Sequence, residues 1–550
     1  MKQRFCLVFL CIFTLGLAQN EQTAAIDKVF EAWDKPDTPG ASLGVFKDGE
    51  IMYARGYGLA NMEYDIPNDA NSVFRIGSTS KQFTAACVVL LALDGKLSLD
   101  DKLSKFFPGF PDYANSITVK QLLNHTSGVR DYLQLAYLKG LRNDDFYVDE
   151  DIMVWLKQQK GLNFEPGSEY LYSNSGYWLL GQIVAEVSGK NMADFAKERI
   201  FDPLGMTSTH FHNDHNRVVK NRASGYAPLG LGQYAISMTT LDMIGDGGIF
   251  TSINDIKKWD DAYYNNTVFP ADFWPMMTTN GILSNGEQID YAAGLIVEEY
   301  KGQKVIRHGG AFVGFRAELL RFPDQKLSIA IFANRADADP SGMADQVADI
   351  LLESVLKEDE KEGESAASIP DADEQFALES MVGTYRIEAG VELEVAVVND
   401  SLQMTQSWNG SQYAVARVKG NSFQIPGMTT ITFAFSELKN NAIQTLTVYQ
   451  PGETTTCERV NPVDLSSIDL DAYVGSFYSD ELDVTYSIAK EGDALQLLFG
   501  TRAPADIEIS NADLLSANGT ILNVQRTGNE VSGFVIESGR VKNIEFTKQK

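Results

Sequence analysis

The stretch VFRIGSTSKQFTAACVVLLAL, residues 73–93, carries more structural information than any other part of the sequence. A β-prone run leads to a glycine and then to Ser78, where an apolar pattern typical of a helix over 78–93 begins. Residues three apart on a helix share a face, so Lys81 directs its amine towards the Ser78 hydroxyl. A serine becomes a nucleophile when a neighbouring base takes its proton, and a lysine is such a base when its surroundings lower its pKa.

The spacing of serine and lysine is weak evidence by itself. A simpler interpretation is that Ser78 only caps the helix and Lys81 is a solvated residue of its first turn. Only this pair follows a strand pattern and opens an apolar helix. The same spacing recurs at Ser354 and Lys357, at Ser436 and Lys439, and at Ser487 and Lys490.

A second motif lies in YLYSNSGYWLLG, residues 170–181, just before another apolar helical pattern. Tyr172 and Asn174 are two residues apart in the loop, so both side chains can reach one pocket. The phenol is suited to relaying a proton, and the amide to holding a lysine or a substrate carbonyl. A turn with a packed tyrosine is the alternative interpretation.

A third motif, His308, Gly309 and Gly310, ends one predicted strand and precedes another. Paired glycines allow a substrate backbone to lie against a strand edge, although they are also typical of an ordinary β-bulge.

In this order the three motifs resemble those of the class C β-lactamase and penicillin-binding protein group, which also contains D-aminopeptidases, D,D-carboxypeptidases and esterases. The resemblance covers roughly residues 22–356. It is supported by the phrases LLNHTSGV (122–129), YSNSGYWLLG (172–181) and GDGGIFTS (245–252).

The resemblance implies a role for each motif residue. Ser78 would attack a carbonyl and form an acyl-enzyme that water then releases. Lys81 and Tyr172 would share the proton transfers, and Asn174 would orient the lysine and contact substrate. The backbone N–H groups of Ser78 and Ala311 would form the oxyanion hole.

His308 departs from the pattern of many relatives. Many β-lactamases and carboxypeptidases have a lysine at this place, which helps to hold a substrate carboxylate. A neutral imidazole holds an anion less firmly, so strong β-lactamase activity is disfavoured. The histidine form resembles the D-aminopeptidase and esterase branches, in which His308, Gly309, Gly310 and Ala311 would line the substrate site.

A competing motif, HFHNDH at residues 210–215, matches the H-x-H-x-D-H pattern of zinc hydrolases related to metallo-β-lactamases. Such zinc sites need further histidines from distant loops. The chain has five histidines, and the remaining two, His125 and His308, stand in serine-hydrolase phrases. On an extended strand His210, His212 and Asp214 would share one face, which leaves adventitious metal binding open. We therefore predict neither a catalytic metal nor another cofactor.

The formal net charge of −28 over 550 residues argues against binding to nucleic acid or to anionic membrane surfaces. Lys2 and Arg4 precede an apolar run over residues 5–17, and Gly16 and Ala18 suit a signal peptidase. The run is too short to span a bilayer. We expect cleavage near Ala18, no membrane insertion, and a periplasmic or secreted product.

Strand patterns at both ends of the first region, with helices between them, predict an α+β domain. A hairpin over 41–57 and strands at 303–308, 312–321 and 326–333 would form a five-stranded antiparallel sheet flanked by helices, the β-lactamase/transpeptidase-like arrangement.

The C-terminal region contains an internal repeat, because FALESMVGTY (376–385) matches IDLDAYVGSF (468–477). Each copy is rich in short strands and predicts a small all-β, lipocalin-like barrel. The predicted organisation is therefore a signal peptide (1–18), a β-lactamase-related hydrolase domain (19–356), an acidic linker (357–374) and two barrel-like repeats (375–462 and 463–550).

Together these features predict an exported serine hydrolase that acts on an amide or ester. Its substrate would be a small molecule or a peptide, in particular one containing D-amino acids, as for a D-aminopeptidase or D,D-carboxypeptidase. An esterase or weak β-lactamase is one alternative. A protein of another class, which senses penicillin or peptide without turnover, is a second alternative. Oligomerisation through the C-terminal β-domains stays open.

Overall fold

A computed structural model describes residues 21–142, 145–230, 232–356, 375–388, 391–407, 412–426, 428–450, 453–460, 468–492 and 494–550. The predicted signal peptide and the predicted acidic linker, 357–374, both lie outside the described residues.

The chain divides into two compact units. The first consists of Met1–Tyr132, Asn143–Lys157 and Phe164–Leu356, and the second of Leu133–Arg142, Gln158–Asn163 and Lys357–Lys550. The sequence interpretation treated 19–356 as one continuous domain. Two short segments within that range group with the C-terminal region.

The N-terminal hairpin consists of strands Ala41–Lys47 and Glu50–Tyr57. Asp48 and Gly49 connect them with φ angles of 51° and 84°. Two consecutive positive φ angles are typical of the tight turn that matches the twist of paired strands, and aspartate followed by glycine adopts it readily. The hairpin has the predicted bounds.

The central sheet of the first unit is antiparallel, and its outer strand Ile296–Tyr300 was not predicted. The sheet therefore has six strands instead of five. Glu298 and Glu299 interrupt the apolar pattern of this strand, which suits a sheet edge and hides the strand from sequence reasoning. In spatial order the strands are Ile296–Tyr300, Gln303–Phe312, Phe315–Phe322, Leu327–Ala333, Ala41–Lys47 and Glu50–Tyr57.

Two terminal helices cover one face of this sheet. They are the helix over residues 21–29 and the helix Pro340–Leu352. Ile26, Phe30 and Val347 are fully buried against sheet residues, so both ends of the first unit contribute to one core.

The remaining helical segments that precede the C-terminal region follow one another between the hairpin and the late strands. Among the described residues, no helix is both long enough and apolar enough to cross a bilayer. The segments are Gly77–Ser80, Lys81–Leu93, Leu103–Phe106, Asp112–Asn115, Val119–Leu123, Tyr132–Leu138, Asp149–Gln158, Asn174–Ser188, Met192–Ala196, Lys197–Phe201, Asp202–Leu204, Ile253–Tyr264 and Phe273–Met277.

Three small antiparallel sheets complete the first unit. One of them is formed by Phe74–Arg75, Ile249–Thr251 and His210–Phe211. Its strand Phe74–Arg75 directly precedes the nucleophile motif in the chain. The other two pair Leu59–Asn61 with Ile66–Pro67, and Tyr226–Gly230 with Gln233–Ile236.

The C-terminal region forms two closed barrels of eight antiparallel strands each. A helical turn, Leu378–Met381 or Leu470–Tyr473, precedes each barrel, and Gly383 and Gly475 begin the first strands. The repeat seen in the sequence is thus a repeat of structure. The first barrel comprises Gly383–Glu388, Val391–Val398, Ser401–Gln406, Gln412–Lys419, Ser422–Ile425, Met428–Lys439, Ala442–Gln450 and Glu453–Arg459. The second comprises Gly475–Ser479, Val484–Glu491, Ala494–Phe499, Ala505–Asn511, Leu514–Ala517, Thr520–Thr527, Glu530–Ser538 and Val541–Lys548.

Within the second unit, the last barrel is hydrogen-bonded to both early segments. Tyr486 Oη donates to the carbonyl of Leu138 over 2.6 Å. Asn163 donates through Nδ2 to the carbonyl of Arg540 over 2.9 Å and accepts through Oδ1 from the N–H of Lys542 over 2.8 Å. These bonds join side chains and backbone groups of the barrel and of the two early segments.

Candidate active site

The nucleophile motif begins with a tight turn. Residues Gly77–Ser80 form a 3₁₀-helix, and the α-helix starts at Lys81, where the sequence predicted one helix from Ser78. Side chains at i and i+3 of a 3₁₀ turn eclipse one another, so Ser78 and Lys81 still share a face.

Ser78 and Lys81 are in contact. Lys81 Nζ lies 3.2 Å from Ser78 Oγ, and the lysine is fully buried, whereas the serine is half-buried. No side chain caps either helical segment. This placement disagrees with the simpler interpretation of a capping serine and a solvated lysine.

Two further groups hold the Lys81 amine. Asn174 Oδ1 lies 2.9 Å from Nζ, and the backbone oxygen of Asp246 lies 2.5 Å from it. Together with Ser78 Oγ, these groups give the Lys81 amine three hydrogen-bond acceptors. A buried amine needs such partners, because burying a charge without them is expensive.

Asp131 fixes the orientation of the Asn174 amide. Ser173 caps the helix Asn174–Ser188. Asp131 Oδ2 then accepts from the backbone N–H of Asn174 over 2.8 Å and from its Nδ2 over 2.9 Å. The amide oxygen is therefore the atom that faces Lys81.

Tyr172 stands beside the same amine. The centroid of its ring lies 4.8 Å from Lys81 Nζ, and the side chain is half-buried. The structure thus gathers a hydroxyl, an amine and a phenol from two distant stretches of sequence into one site.

His125 supports the tyrosine from its other side. Its ring centroid lies 4.1 Å from that of Tyr172, and its Nδ1 accepts from the N–H of Ser173 over 3.1 Å. The residue has φ of 59°, an uncommon backbone conformation for a histidine. Such conformations persist where the surroundings enforce them, and they are common at functional sites.

The third motif brings a strand against the nucleophile turn. Thr79 Oγ1 donates to the carbonyl of His308 over 3.1 Å. A Cβ added to Gly310 would lie 2.0 Å from the carbonyl oxygen of Ile76, and one added to Gly77 would lie 2.8 Å from the backbone N of Ala311. Only glycine permits this approach, which puts the Ala311 N–H beside the turn that carries Ser78.

The His308 side chain, which the resemblance places at the substrate site, is buried within the protein. It is 4% exposed, and both ring nitrogens are engaged within the protein. Nδ1 lies 2.6 Å from the carbonyl oxygen of Gly309 and must donate to it, so Nε2 accepts from Tyr291 Oη over 2.9 Å. Burial, with the Lys81 charge adding to it, lowers the pKa of His308 to about 4.

This burial predicts a pH effect on stability. His308 is neutral in the folded protein and becomes protonated in the unfolded chain below its ordinary pKa of 6.5. Its stabilising contribution is therefore complete above pH 6.5 and is lost as the pH falls towards 4. The loss is roughly 3 kcal/mol, at about 1.4 kcal/mol for each unit of pKa.

The measurement is urea unfolding of the full chain between pH 7 and 4.5, followed by tryptophan fluorescence, for the wild type and His308→Gln. Because burial also lowers the pKa of His210 and His212 to about 4, both proteins lose stability at low pH. We expect the wild type to lose more. Identical pH dependence in the two proteins would contradict the assignment.

Asp246 and Tyr132 add a buried polar pair that sequence reasoning did not select. Tyr132 Oη donates to Asp246 Oδ2 over 2.9 Å, while the backbone oxygen of Asp246 holds Lys81. Burial raises the pKa of Asp246, and the Lys81 charge opposes that rise. Asp246 lies within the phrase 245–252, and Tyr132 lies three residues after the phrase 122–129. The phrases alone do not show that these two residues meet beside Lys81.

The histidine-rich motif at 210–215 does not gather ligands for a metal. Among the described residues there is no cluster of three or more His, Cys, Asp or Glu that could hold a metal ion. His215 pairs with Asp242 over 2.8 Å, and His210 Nε2 lies 3.1 Å from His212 Nδ1. Asp214 is exposed at the surface.

The arrangement suits covalent catalysis at a carbonyl. A half-exposed hydroxyl lies next to a buried amine that can exchange a proton with it, and a phenol stands beside the amine. The N–H groups at the nucleophile turn and on the adjoining strand are suited to stabilising a developing oxyanion.

Comparison with known proteins agrees with this geometry. Residues 25–352 match the family model described as Beta-lactamase. Penicillin-binding protein 4* of Bacillus subtilis (strain 168) is 29% identical over 332 residues, which are 57% of this chain and 72% of that protein. A D-aminopeptidase of Brucella anthropi is 26% identical over 466 residues, 83% of this chain and 82% of the relative.

Among solved structures, the octameric penicillin-binding protein homologue from Pyrococcus abyssi matches with a TM-score of 0.56 and 22% identity. The match covers 88% of this chain and 98% of that one. The likeness shows a shared fold.

Proposed function

The chain belongs to the beta-lactamase family, whose model matches more than half of it, and is a serine hydrolase; we propose that it cleaves the amide bond of D-amino-acid amides and of short peptides with a free D-amino-acid N-terminus. The observation that carries the proposal is the contact between Ser78 Oγ and a fully buried Lys81 amine.

In the proposed reaction Ser78 Oγ attacks the amide carbonyl and passes its proton to the pair formed by Lys81 and Tyr172. The N–H groups of Ser78 and Ala311 stabilise the oxyanion. The same pair then protonates the leaving amine, and water releases the acyl group. Asn174 holds Lys81 in position throughout.

The third motif supports an amino-terminal specificity over a carboxypeptidase. His308 is buried, neutral and bonded to Tyr291, so it offers no positive charge to a substrate carboxylate. The relative that matches over 82% of its own length is named a D-aminopeptidase.

A cavity lined by Tyr291, which bonds His308, supports a substrate that carries an amine, although Ser78, Lys81 and Tyr172 do not line it. The cavity is about 670 Å³ in volume, and Tyr170, Glu169, Glu287 and Asp290 also line it. Carboxylates at a pocket wall favour a cationic group such as the ammonium of an N-terminal residue.

The test compares four amides and esters at pH 7.5: D-alaninamide, L-alaninamide, N-acetyl-D-alaninamide and a p-nitrophenyl ester, with a chromogenic cephalosporin as the fifth substrate. We expect D-alaninamide to be preferred over its L and acetylated forms. Turnover of the ester alone would establish an esterase, and turnover of the cephalosporin alone a β-lactamase. A stable, unhydrolysed penicillin adduct without any turnover would indicate a sensor and contradict the proposal.

Gly310 provides a prediction about the geometry of this site. In Gly310→Ala the new Cβ would meet the Ile76 carbonyl at 2.0 Å and push the strand from the nucleophile turn. We expect kcat/KM to fall roughly 10²-fold, the cost of a misplacement of about 1 Å. Gly109→Ala is the control, because its Cβ would have only Lys157 Nζ nearby, at 3.8 Å. Equal activity in both variants would show that the close approach is unimportant.

Export and assembly belong to the same proposal. The basic and apolar residues at 2–17 support secretion or periplasmic location after cleavage near Ala18. N-terminal sequencing of protein recovered from a secreting host tests the cleavage. Light scattering gives the molar mass of the purified protein in solution. A lower mass for a variant with altered exposed residues on the second barrel would indicate assembly through the β-domains.

A further inference from the structure

A cluster of basic side chains surrounds Phe250 in the small sheet that precedes the nucleophile. Arg75 and His210 both pair with Phe250 in the register of that sheet. The Arg75 and Arg222 guanidinium carbons lie 6.0 and 5.2 Å from the Phe250 ring centroid, and the His212 ring centroid lies 4.3 Å from it. Five basic residues, counting the exposed Arg217 nearby, thus share one small region.

No carboxylate lies in ion-pair contact with these arginines in the described part of the chain, although the more distant charges of Asp246 and Asp242 raise the pKa of Arg75 against the effect of burial. Among the described residues, Arg75, Arg217 and Arg222 have no ion-pair partner, whereas other arginines pair with aspartate or glutamate, as Arg321 does with Asp260 over 2.7 Å. The neighbouring carboxylate of Asp242 is bonded to His215. In a chain of net charge −28, an unpaired basic cluster is unusual.

Three nitrogens of the cluster are buried and have no hydrogen-bond partner among the described residues. Arg75 is 6% exposed and His212 is 2% exposed. Arg75 Nε, Arg222 Nε and His212 Nε2 are all buried without a hydrogen-bond partner. Stacking of Arg75 on Phe312, at 4.9 Å, offsets only part of the cost of burying its charge. Buried polar groups that a protein leaves unsatisfied point to a ligand that satisfies them.

We propose that Arg75, Arg222, His210 and His212 form a binding site for a small oxyanion, a phosphate or a carboxylate. Guanidinium groups bind such anions through paired, charge-assisted hydrogen bonds. Arg222 and His210 are half-buried, so the site is open to solvent on their side, while Arg75 and His212 form its floor. Two histidines of the HFHNDH motif at residues 210–215 thereby take part in the proposed anion site.

The low pKa values of the two histidines agree with this arrangement. Burial is the main cause, and the charges of Arg217 and Arg222 lower the pKa of His210 further. For His212 the additional lowering comes from Arg222 and Arg75. An anion bound among the arginines would remove that repulsion.

The test is isothermal titration of inorganic phosphate, and separately of acetate, into the full-length protein at constant ionic strength and pH 7. We expect saturable binding that weakens at least tenfold in Arg222→Gln and by a smaller factor in Arg222→Lys, which keeps the charge but loses the paired donors. Arg417→Gln is the matched control, because Arg417 is also partly buried, forms no ion pair and belongs to the first barrel. If Arg222→Gln does not fold, Arg217→Gln takes its place. Arg217 is exposed and its charge acts on His210, so phosphate binding should also weaken in this variant.

The source of the carboxylate is found with Ser78→Ala, which prevents turnover. Competition between phosphate and D-alanyl-D-alanine, but not its C-terminal amide, would assign the site to a substrate carboxylate. Phosphate binding without such competition would assign it to a free anion. Equal binding by the wild type, Arg222→Gln and Arg417→Gln, or no saturable binding of either anion, would overturn the proposal whatever the enzyme hydrolyses.

Discussion

Ser78→Ala is expected to abolish turnover, with kcat lowered by a factor on the order of 10³ or more, because an acyl-enzyme cannot form without the nucleophile. Labelling by a fluorophosphonate probe should disappear in parallel. The fold should be retained, since Lys81 keeps its bonds to Asn174 and to the Asp246 backbone. Unchanged thermal unfolding would separate loss of chemistry from loss of structure.

The matched control for this variant is Ser116→Ala, which changes an exposed serine of the same unit. It should keep full activity and full labelling. Intact mass spectrometry of the wild type after mixing with an activated ester should show one added acyl group, located on the peptide that contains Ser78. Persistent labelling of Ser78→Ala would mean that another residue is the nucleophile.

Lys81→Met is expected to lower kcat/KM by roughly 10²–10⁴-fold, the usual contribution of a positioned general base. Methionine has a similar length and suits a site with no solvent exposure. The change leaves the Asn174 amide oxygen and the Asp246 carbonyl without their donor, at about 1–3 kcal/mol each. Removing a buried amine offsets part of that cost.

Lys257→Met is the control, because Lys257 is also a buried lysine of the first unit, bonded to Asp261 and to the Gly49 carbonyl. It should lose stability but little activity per folded molecule. Rapid-mixing measurements of acylation by an ester, made on Lys81→Met and Tyr172→Phe, show which group receives the serine proton. Activity of Lys81→Met within a few-fold of the wild type would refute the role of the amine.

The parts of the fold that follow from local signals could be predicted from the sequence. Asp48 and Gly49 specify a hairpin turn by themselves, and the position of that turn also gives the bounds of the strands on either side of it. Lys81 faces Ser78 because of a spacing of three, which an α-helix and a 3₁₀ turn both satisfy. The repeat at 376–385 and 468–477 gave the number of barrels, since each copy begins a closed sheet.

Other features depend on contacts between distant stretches and left no local pattern. The edge strand Ile296–Tyr300 is too acidic to stand out as a strand. Asp246 and Tyr132 meet at the site although 114 residues separate them. His308 bonds to Tyr291, which lies 17 residues before it and outside the named strands, and no local pattern indicates that contact.

The grouping of Leu133–Arg142 and Gln158–Asn163 with the C-terminal unit has a consequence for biosynthesis. Leu138 leaves the ribosome 348 residues before Tyr486, its hydrogen-bond partner in the last barrel. At about 5–20 residues per second, the nascent chain holds these two segments without their final partners for roughly 20–70 s. In a chain terminated after residue 356 the two segments would never meet these partners. We therefore expect the nascent chain to need chaperones and the truncated chain to fold poorly.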